Sequence, residues 1–203
     1  MGHSNIAIFG IGNILLSDDG VGIHAVHKLK DEYTFPESVE LIDGGTKGLD
    51  LLPLLEGRDK VLIIDAVNFK EAPGTIGAVA GENIPAVLRS KLSVHQIGLP
   101  DMLFAARLMK ITPPEMCLIG IQPKSMETGT ELSDEIKERL DALVKKVLLK
   151  LREWGVEPDQ SPSPRAETGN GPAGPTFPRP GSHKEANCRE DLKDRREKGN
   201  KFL

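Results

Sequence analysis

Cysteine, aromatic residues, long apolar runs and surplus positive charge are all scarce in this chain. Two cysteines, Cys117 and Cys188, occur among 203 residues, too few for a disulfide framework or a four-thiolate zinc site. A reduced, cytoplasmic setting is therefore expected. No apolar run approaches the ~20 residues needed to cross a bilayer, so no membrane partner is expected. The opening MGHSNIAIFG lacks the basic n-region and long apolar stretch of a secretory signal. A net charge of −4 and a pI near 5.8 argue against a general nucleic-acid binder, which needs a basic face to displace counterions. The chain has no G-x-S-x-G elbow, no H-E-x-x-H, no G-x-x-x-x-G-K-[ST] and no paired D-T/S-G motif. A serine hydrolase of the elbow type, a zincin, a P-loop nucleotidase and a pepsin-like protease are thus unsupported.

What is present divides into two segments. Residues 157–203 hold seven prolines, and their only large apolar side chains are Phe177, Leu192, Phe202 and Leu203. Burial of so little apolar surface does not offset the entropy of ordering a backbone, so this segment reads as a disordered tail. Nine Lys/Arg against eight Asp/Glu leave it at +1. Residues 1–156 then carry −4 − 1 = −5 and are long enough for one core.

Those residues alternate between strand-like and helix-like patterns. Residues 5–10, 39–43, 60–67, 75–80 and 115–121 read as strands, the strongest being Val61, Leu62, Ile63 and Ile64 ending on Asp65. Residues 19–33 read as a helix, with Val21, Ala25 and Leu29 on one face and Ser17 or Asp18 as its N-cap. Residues 49–55 make a short helical turn disturbed by Pro53, and residues 99–110 a helix with Pro100 in its first turn. Residues 133–154 form a long helix, capped by Ser133 and ended by Gly155. Aliphatic strands alternating with helices predict a single-domain α/β three-layer sandwich: a twisted, mostly parallel sheet with helices on both faces. Ligands in such folds gather at the carboxyl ends of the strands.

Polar residues follow three of the strands: the segment from Gly10 to Gly20, the run Asp43-Gly44-Gly45-Thr46, and Asp65. His95 lies just ahead of a predicted helix. Gly10 and Gly12 suggest a dinucleotide fingerprint, but Leu15 stands where the third glycine belongs, and an acidic pair at the helix start would repel a pyrophosphate. A metal reading is better supported. Asp19, Asp65 and His95, all at one sheet edge, offer mixed oxygen and nitrogen donors suited to borderline divalent ions, with positions left for water or substrate. Structural readings stand beside it: Asp19 as a helix cap, Asp65 as an acceptor for loop amides, His95 as a structural hydrogen bonder, Asp43 as an Asx turn ahead of two glycines. His24 and His27 lie three apart on the first helix, with His27 solvated; His3 and His183 belong to the terminal segments. Cys117 reads as a small core residue.

The segments GIGNILLSDDGVGIHAVHKL, LIDGGTKGLDLL, VLIIDAV with APGT, KLSVHQIGL and LIGIQP, taken together and in order, resemble the nickel–iron hydrogenase maturation endopeptidases. The likeness covers most of residues 5–155. It implies a single α/β domain that removes a C-terminal extension from the hydrogenase large-subunit precursor once nickel has been inserted. Two carboxylates and a histidine recognise the metal in that family; matched motif by motif they fall on Asp19, Asp65 and His95. Many members have Glu at the first of these positions, so Asp19 is shorter by one methylene, and Asp18 is a candidate to share its role. Asp43, Gly44, Gly45 and Thr46 match a loop associated with substrate choice.

By the same resemblance the partner is the precursor protein and the enzyme is a monomer. Nickel is expected to arrive on the substrate, other divalent ions being able to occupy the site, and Asp19, Asp65 and His95 are also the candidate catalytic residues: either a carboxylate orients the attacking water, or the metal polarises the carbonyl or acidifies its bound water. Two other functions compete. One is a metal-binding or carrier protein on the same fold without peptidase activity; the other is a nucleotide-binding regulator.

Overall fold

Five strands form the central sheet, in the order β3-β1-β4-β6-β5. They are β1 (Ile6–Ile11), β3 (Val39–Gly45), β4 (Lys60–Ala66), β5 (Ile76–Ala80) and β6 (Glu115–Ile121). The computed structural model describes residues 4–88 and 98–160; His95 and the tail from residue 161 lie outside the described residues. β1 pairs in parallel with β3 and β4, and β4 with β6, while β5 joins β6 antiparallel at one edge. The sheet is thus mostly parallel, as the aliphatic strands predict.

Side chains alternate across the strands and fill two cores. Ile6 and Ile8 of β1, with Leu62, Ile64, Cys117 and Ile119, pack under α1 (Val21–Glu32) and α4 (Asp134–Glu153). Ala7, Phe9 and Ile11, with Val61, Ile63, Met116 and Leu118, pack under the 3-10 stretch Gly48–Leu55, α2 (Ile84–Leu88) and α3 (Leu99–Met109). Helices therefore cover both faces, giving the three-layer sandwich. Pro53 lies inside Gly48–Leu55, which accounts for the tighter 3-10 winding there, since proline removes a backbone donor.

The elements differ from the sequence expectation in several places, among them the unexpected turn Gly81–Asn83 and helix Ile84–Leu88. α1 starts at Val21, with Gly20 as N-cap and no side-chain cap bond; Ser17 and Asp18 instead open the 3-10 turn Ser17–Gly20. Ser133 is the N-cap residue of α4, yet its hydroxyl does not cap the helix. It donates to Asp18 Oδ2 at 2.9 Å. β2 (Tyr33–Thr34) and β7 (Asp159–Gln160) form a small antiparallel pair that apolar periodicity does not reveal, because each is two residues long and mostly exposed.

The topology places the site. From β1 the chain runs out through α1 to β3; from β4 it leaves toward β5 and β6 on the opposite side. The carboxyl ends of β1 and β4, adjacent in the sheet, therefore lie at a topological switch point, the position at which open α/β sheets bind ligands.

Candidate active site

Backbone crowding folds the turn that carries Asp19 back on the end of β1. β1 ends at Ile11, and the chain turns at Gly12, whose φ is 135°. A Cβ at Gly12 would lie 1.7 Å from the Asp19 carbonyl oxygen, so only glycine lets the 3-10 turn fold back on the strand end. Gly22 does the same one helical step later: a Cβ there would fall 2.2 Å from the Ile64 carbonyl oxygen and 2.4 Å from that of Ile11. The start of α1 thus rests directly on the ends of β1 and β4. The glycines that mimic a dinucleotide fingerprint serve this helix–sheet contact. Asp19 Oδ2 accepts the Asn13 amide at 2.8 Å.

Asp65 sits at the end of β4, 1 % exposed. It is in phase with Val61 and Ile63, on the side covered by α2 and α3. The turn carrying Asp19 packs against β4, so the fold brings the two sequence-predicted carboxylates to neighbouring strand ends. In sequence, His95 lies three residues before Gly98, the N-cap of α3. Among the described residues no group of three or more His, Cys, Asp or Glu side chains clusters closely enough to hold a metal; two of the three predicted donors lie there.

Asp18 does not share the position of Asp19. Its carboxylate is fully buried and turned toward the loop after β6. Oδ2 accepts the amides of Lys124 at 2.9 Å and Ser125 at 2.8 Å as well as the Ser133 hydroxyl. Oδ1 accepts the Ser133 amide at 2.7 Å. Sequence reasoning misses this because the partners lie 106 to 115 residues away; the only local signal is the doubling of the acid.

The segment Asp43–Thr46 ends β3 and carries a bulge. Gly10 pairs with Asp43 and Ile11 with Gly45, leaving Gly44 as the extra residue. A Cβ at Gly44 would meet Ile11 Cδ1 at 2.6 Å. Gly45 adopts φ 52° and its carbonyl accepts the Gly12 amide at 3.1 Å, which ties the two loops together. Thr46 is exposed. The Asp43 carboxylate turns to α1 and makes no Asx bond among the described contacts: His27 Nε2 and Asp43 Oδ2 are 3.0 Å apart. His27, read from the sequence as merely solvated, is this carboxylate's partner.

Burial shifts the pKa of two further titratable groups. Burial lowers the His24 pKa, helped by the nearby His27 and Lys137 and opposed by Glu131; its Nε2 is enclosed and finds no hydrogen-bond partner among the described residues. Cys117 is buried, and burial pushes its thiol pKa up, which suits a core residue and not a nucleophile.

The fold defines the class: a mostly parallel α/β sandwich in which Asp65 ends β4 and the turn carrying Asp19 packs against that strand. The family model described as hydrogenase maturation protease matches residues 23–150. The hydrogenase 2 maturation protease of Escherichia coli (strain K12) is 40 % identical over 153 residues, spanning 75 % of this chain and 93 % of that protein. The chain belongs to the hydrogenase maturation protease family and is a peptidase. The hydrogenase expression/formation protein HupD of Rhodobacter capsulatus is 37 % identical over 154 residues, 75 % of this chain and 73 % of that one. Among solved structures, the hydrogenase maturating endopeptidase HybD from Escherichia coli matches with a TM-score of 0.73 at 39 % identity, over 77 % of this chain and 97 % of its own.

Proposed function

We propose that this peptidase removes the C-terminal extension of a nickel–iron hydrogenase large-subunit precursor after nickel insertion, and that Asp19, Asp65 and His95 together grip the nickel carried by that substrate. The observation that supports the reading is the packing of the turn Ser17–Gly20, which carries Asp19, against β4, the strand that ends with Asp65 and pairs with β1. Two carboxylates supply a formal −2 and hard oxygen donors, and an imidazole adds the nitrogen that borderline ions such as nickel favour. Because the nickel is part of the substrate, its contribution to binding exists only for a loaded precursor, which gives discrimination against immature protein.

Water is the nucleophile in this proposal. A carboxylate of the pair accepts its proton during attack on the scissile carbonyl, with no acyl-enzyme. The loop Asp43–Thr46 contacts the precursor's extended tail, since Gly44 and Gly45 permit close backbone approach. The reaction runs in the reducing cytoplasm, in keeping with two cysteines in the whole chain, with the enzyme as a monomer.

Mass spectrometry of a nickel-loaded precursor tests the assignment. Wild-type enzyme releases the C-terminal peptide, whereas Asp65→Asn and His95→Ala lose this activity. A loop-fixing Asp65 would tolerate asparagine, so full activity of Asp65→Asn refutes its role. A folded, metal-binding enzyme that cleaves none of a panel of loaded precursors would favour a carrier.

A further inference from the structure

We infer that Asp18 is a positioning residue for Asp19, locking the turn that carries it to the loop between β6 and α4. The inference rests on the proposed role of Asp19 in gripping nickel. A buried carboxylate stays in place only when its lone pairs are satisfied, and Asp18 has four donors from Lys124, Ser125 and Ser133. None of them belongs to its own helix or to β1. The Asp18 amide adds a bond to the Ser125 carbonyl at 3.2 Å.

The neighbouring residue shows the same clamp. Ser17 has φ 47°, a conformation that favours glycine or asparagine. It is held there by its amide on the Gly129 carbonyl at 2.8 Å and its hydroxyl on the Glu127 carbonyl at 3.0 Å. Gly129 in turn donates to the Leu15 carbonyl at 3.0 Å. The turn is thus fixed from both sides of Asp19: by Asn13 on the β1 side and by residues 124–133 on the far side. A strained backbone fixed by surroundings remote in sequence is a means of pre-organising a functional group.

The division of labour between the two acids follows. Asp18 spends its charge on protein donors, leaving the metal to Asp19. Asparagine at 18 presents an amide NH₂ to at least one N–H or O–H donor, because both oxygens of Asp18 are acceptors. The turn then shifts, and Asp19 with it.

The test uses full-length enzyme and nickel-loaded precursor, well below the melting temperature of every variant. Asp18→Asn raises KM by about tenfold or more with a smaller change in kcat, because the grip on the substrate's nickel is weakened. Trp154→Phe, at the opposite end of the strands, matches a modest loss of melting temperature and moves neither constant. Asp19→Asn abolishes cleavage. If Asp18→Asn keeps KM within about twofold of wild type while Asp19→Asn is inactive, the positioning role is overturned and the site assignment stands. If Asp19→Asn remains active, the site assignment itself fails. Should Asp18→Asn not fold, Ser133→Ala, which removes one donor to Asp18 Oδ2, takes its place: a KM raised about threefold supports the inference and an unchanged KM overturns it.

Discussion

His27 Nε2 on α1 lies 3.0 Å from Asp43 Oδ2 at the end of β3, joining the first helix to the loop that follows the sheet's edge strand. Both side chains are about half exposed, 53 % and 43 %. An exposed pair of this kind contributes about 0–1 kcal/mol. His27→Ala is therefore expected to change unfolding free energy by no more than about 1 kcal/mol. Its effect falls on substrate binding, since it releases Asp43 in the proposed substrate loop. Urea denaturation beside a KM measurement checks this; a loss of stability with unchanged KM would assign the pair a purely structural role.

Gly22→Ala is expected to disturb both stability and activity. The added methyl would meet the backbone oxygens of Ile64 and Ile11 at 2.2 and 2.4 Å, and backbone does not yield as a flexible side chain does. Overpacking of this kind costs about 1–3 kcal/mol. Because α1 follows directly from the turn bearing Asp19, cleavage falls by about tenfold or more at a temperature where the variant is folded. Circular dichroism melts and precursor cleavage, measured on one preparation, decide it; wild-type activity would show that α1 can shift without moving Asp19.

The opposite end of the strands supplies the contrast. Trp154 Nε1 donates to Glu115 Oε1, and the ammonium groups of Lys60 and Lys150 sit 5.5 and 5.4 Å from the indole centroid. The indole bond and the lysines together hold the Glu115 carboxyl below its ordinary pKa, against the effect of burial. Trp154→Phe removes the indole donor and destabilises by about 1 kcal/mol. Cleavage is unchanged, because Glu115 opens β6 at its amino end, away from the carboxyl ends of the strands. Reduced kcat or raised KM in a folded Trp154→Phe enzyme would contradict that separation.

His24 predicts a pH dependence. Its folded pKa lies below the ordinary 6.5, chiefly through burial. Below pH 6.5 the unfolded chain binds the proton more readily than the folded one, so this stabilisation is complete above 6.5 and is lost as pH falls toward the folded value. Glu115 acts in the same direction, but in a lower window that begins below 4.5. Between about pH 7 and about pH 5 the wild-type melting temperature is expected to fall more steeply than that of His24→Gln. Parallel curves would show that burial of His24 does not disfavour its charge.

Sheet and helices were legible because aliphatic runs and apolar periodicity report burial directly. Residues 115–121 match β6 at both ends, and Val61 to Ile64 mark the centre of β4. That the turn carrying Asp19 packs against β4, the strand that ends on Asp65, agrees with the rule that polar residues gather at the ends of parallel strands. The 3-10 turn before α1 was not legible, since its winding depends on contacts with Ser125 and Gly129 more than a hundred residues away. For the same reason Ser133 reads as a helix cap when its hydroxyl serves Asp18. His27 and Asp43 are sixteen residues apart, and only the packing of α1 over the sheet pairs them. Local chemistry identifies the acids; tertiary contacts decide that Asp18 is the one turned to the loop after β6.

The most direct test of nickel recognition is a paired cleavage assay on one large-subunit precursor, prepared with and without nickel and followed by intact-mass spectrometry. The account predicts loss of the C-terminal peptide from the nickel-loaded precursor alone, with that loss dependent on Asp19, Asp65 and His95. Equal cleavage of both preparations would keep the peptidase and contradict recognition of the metal by these residues.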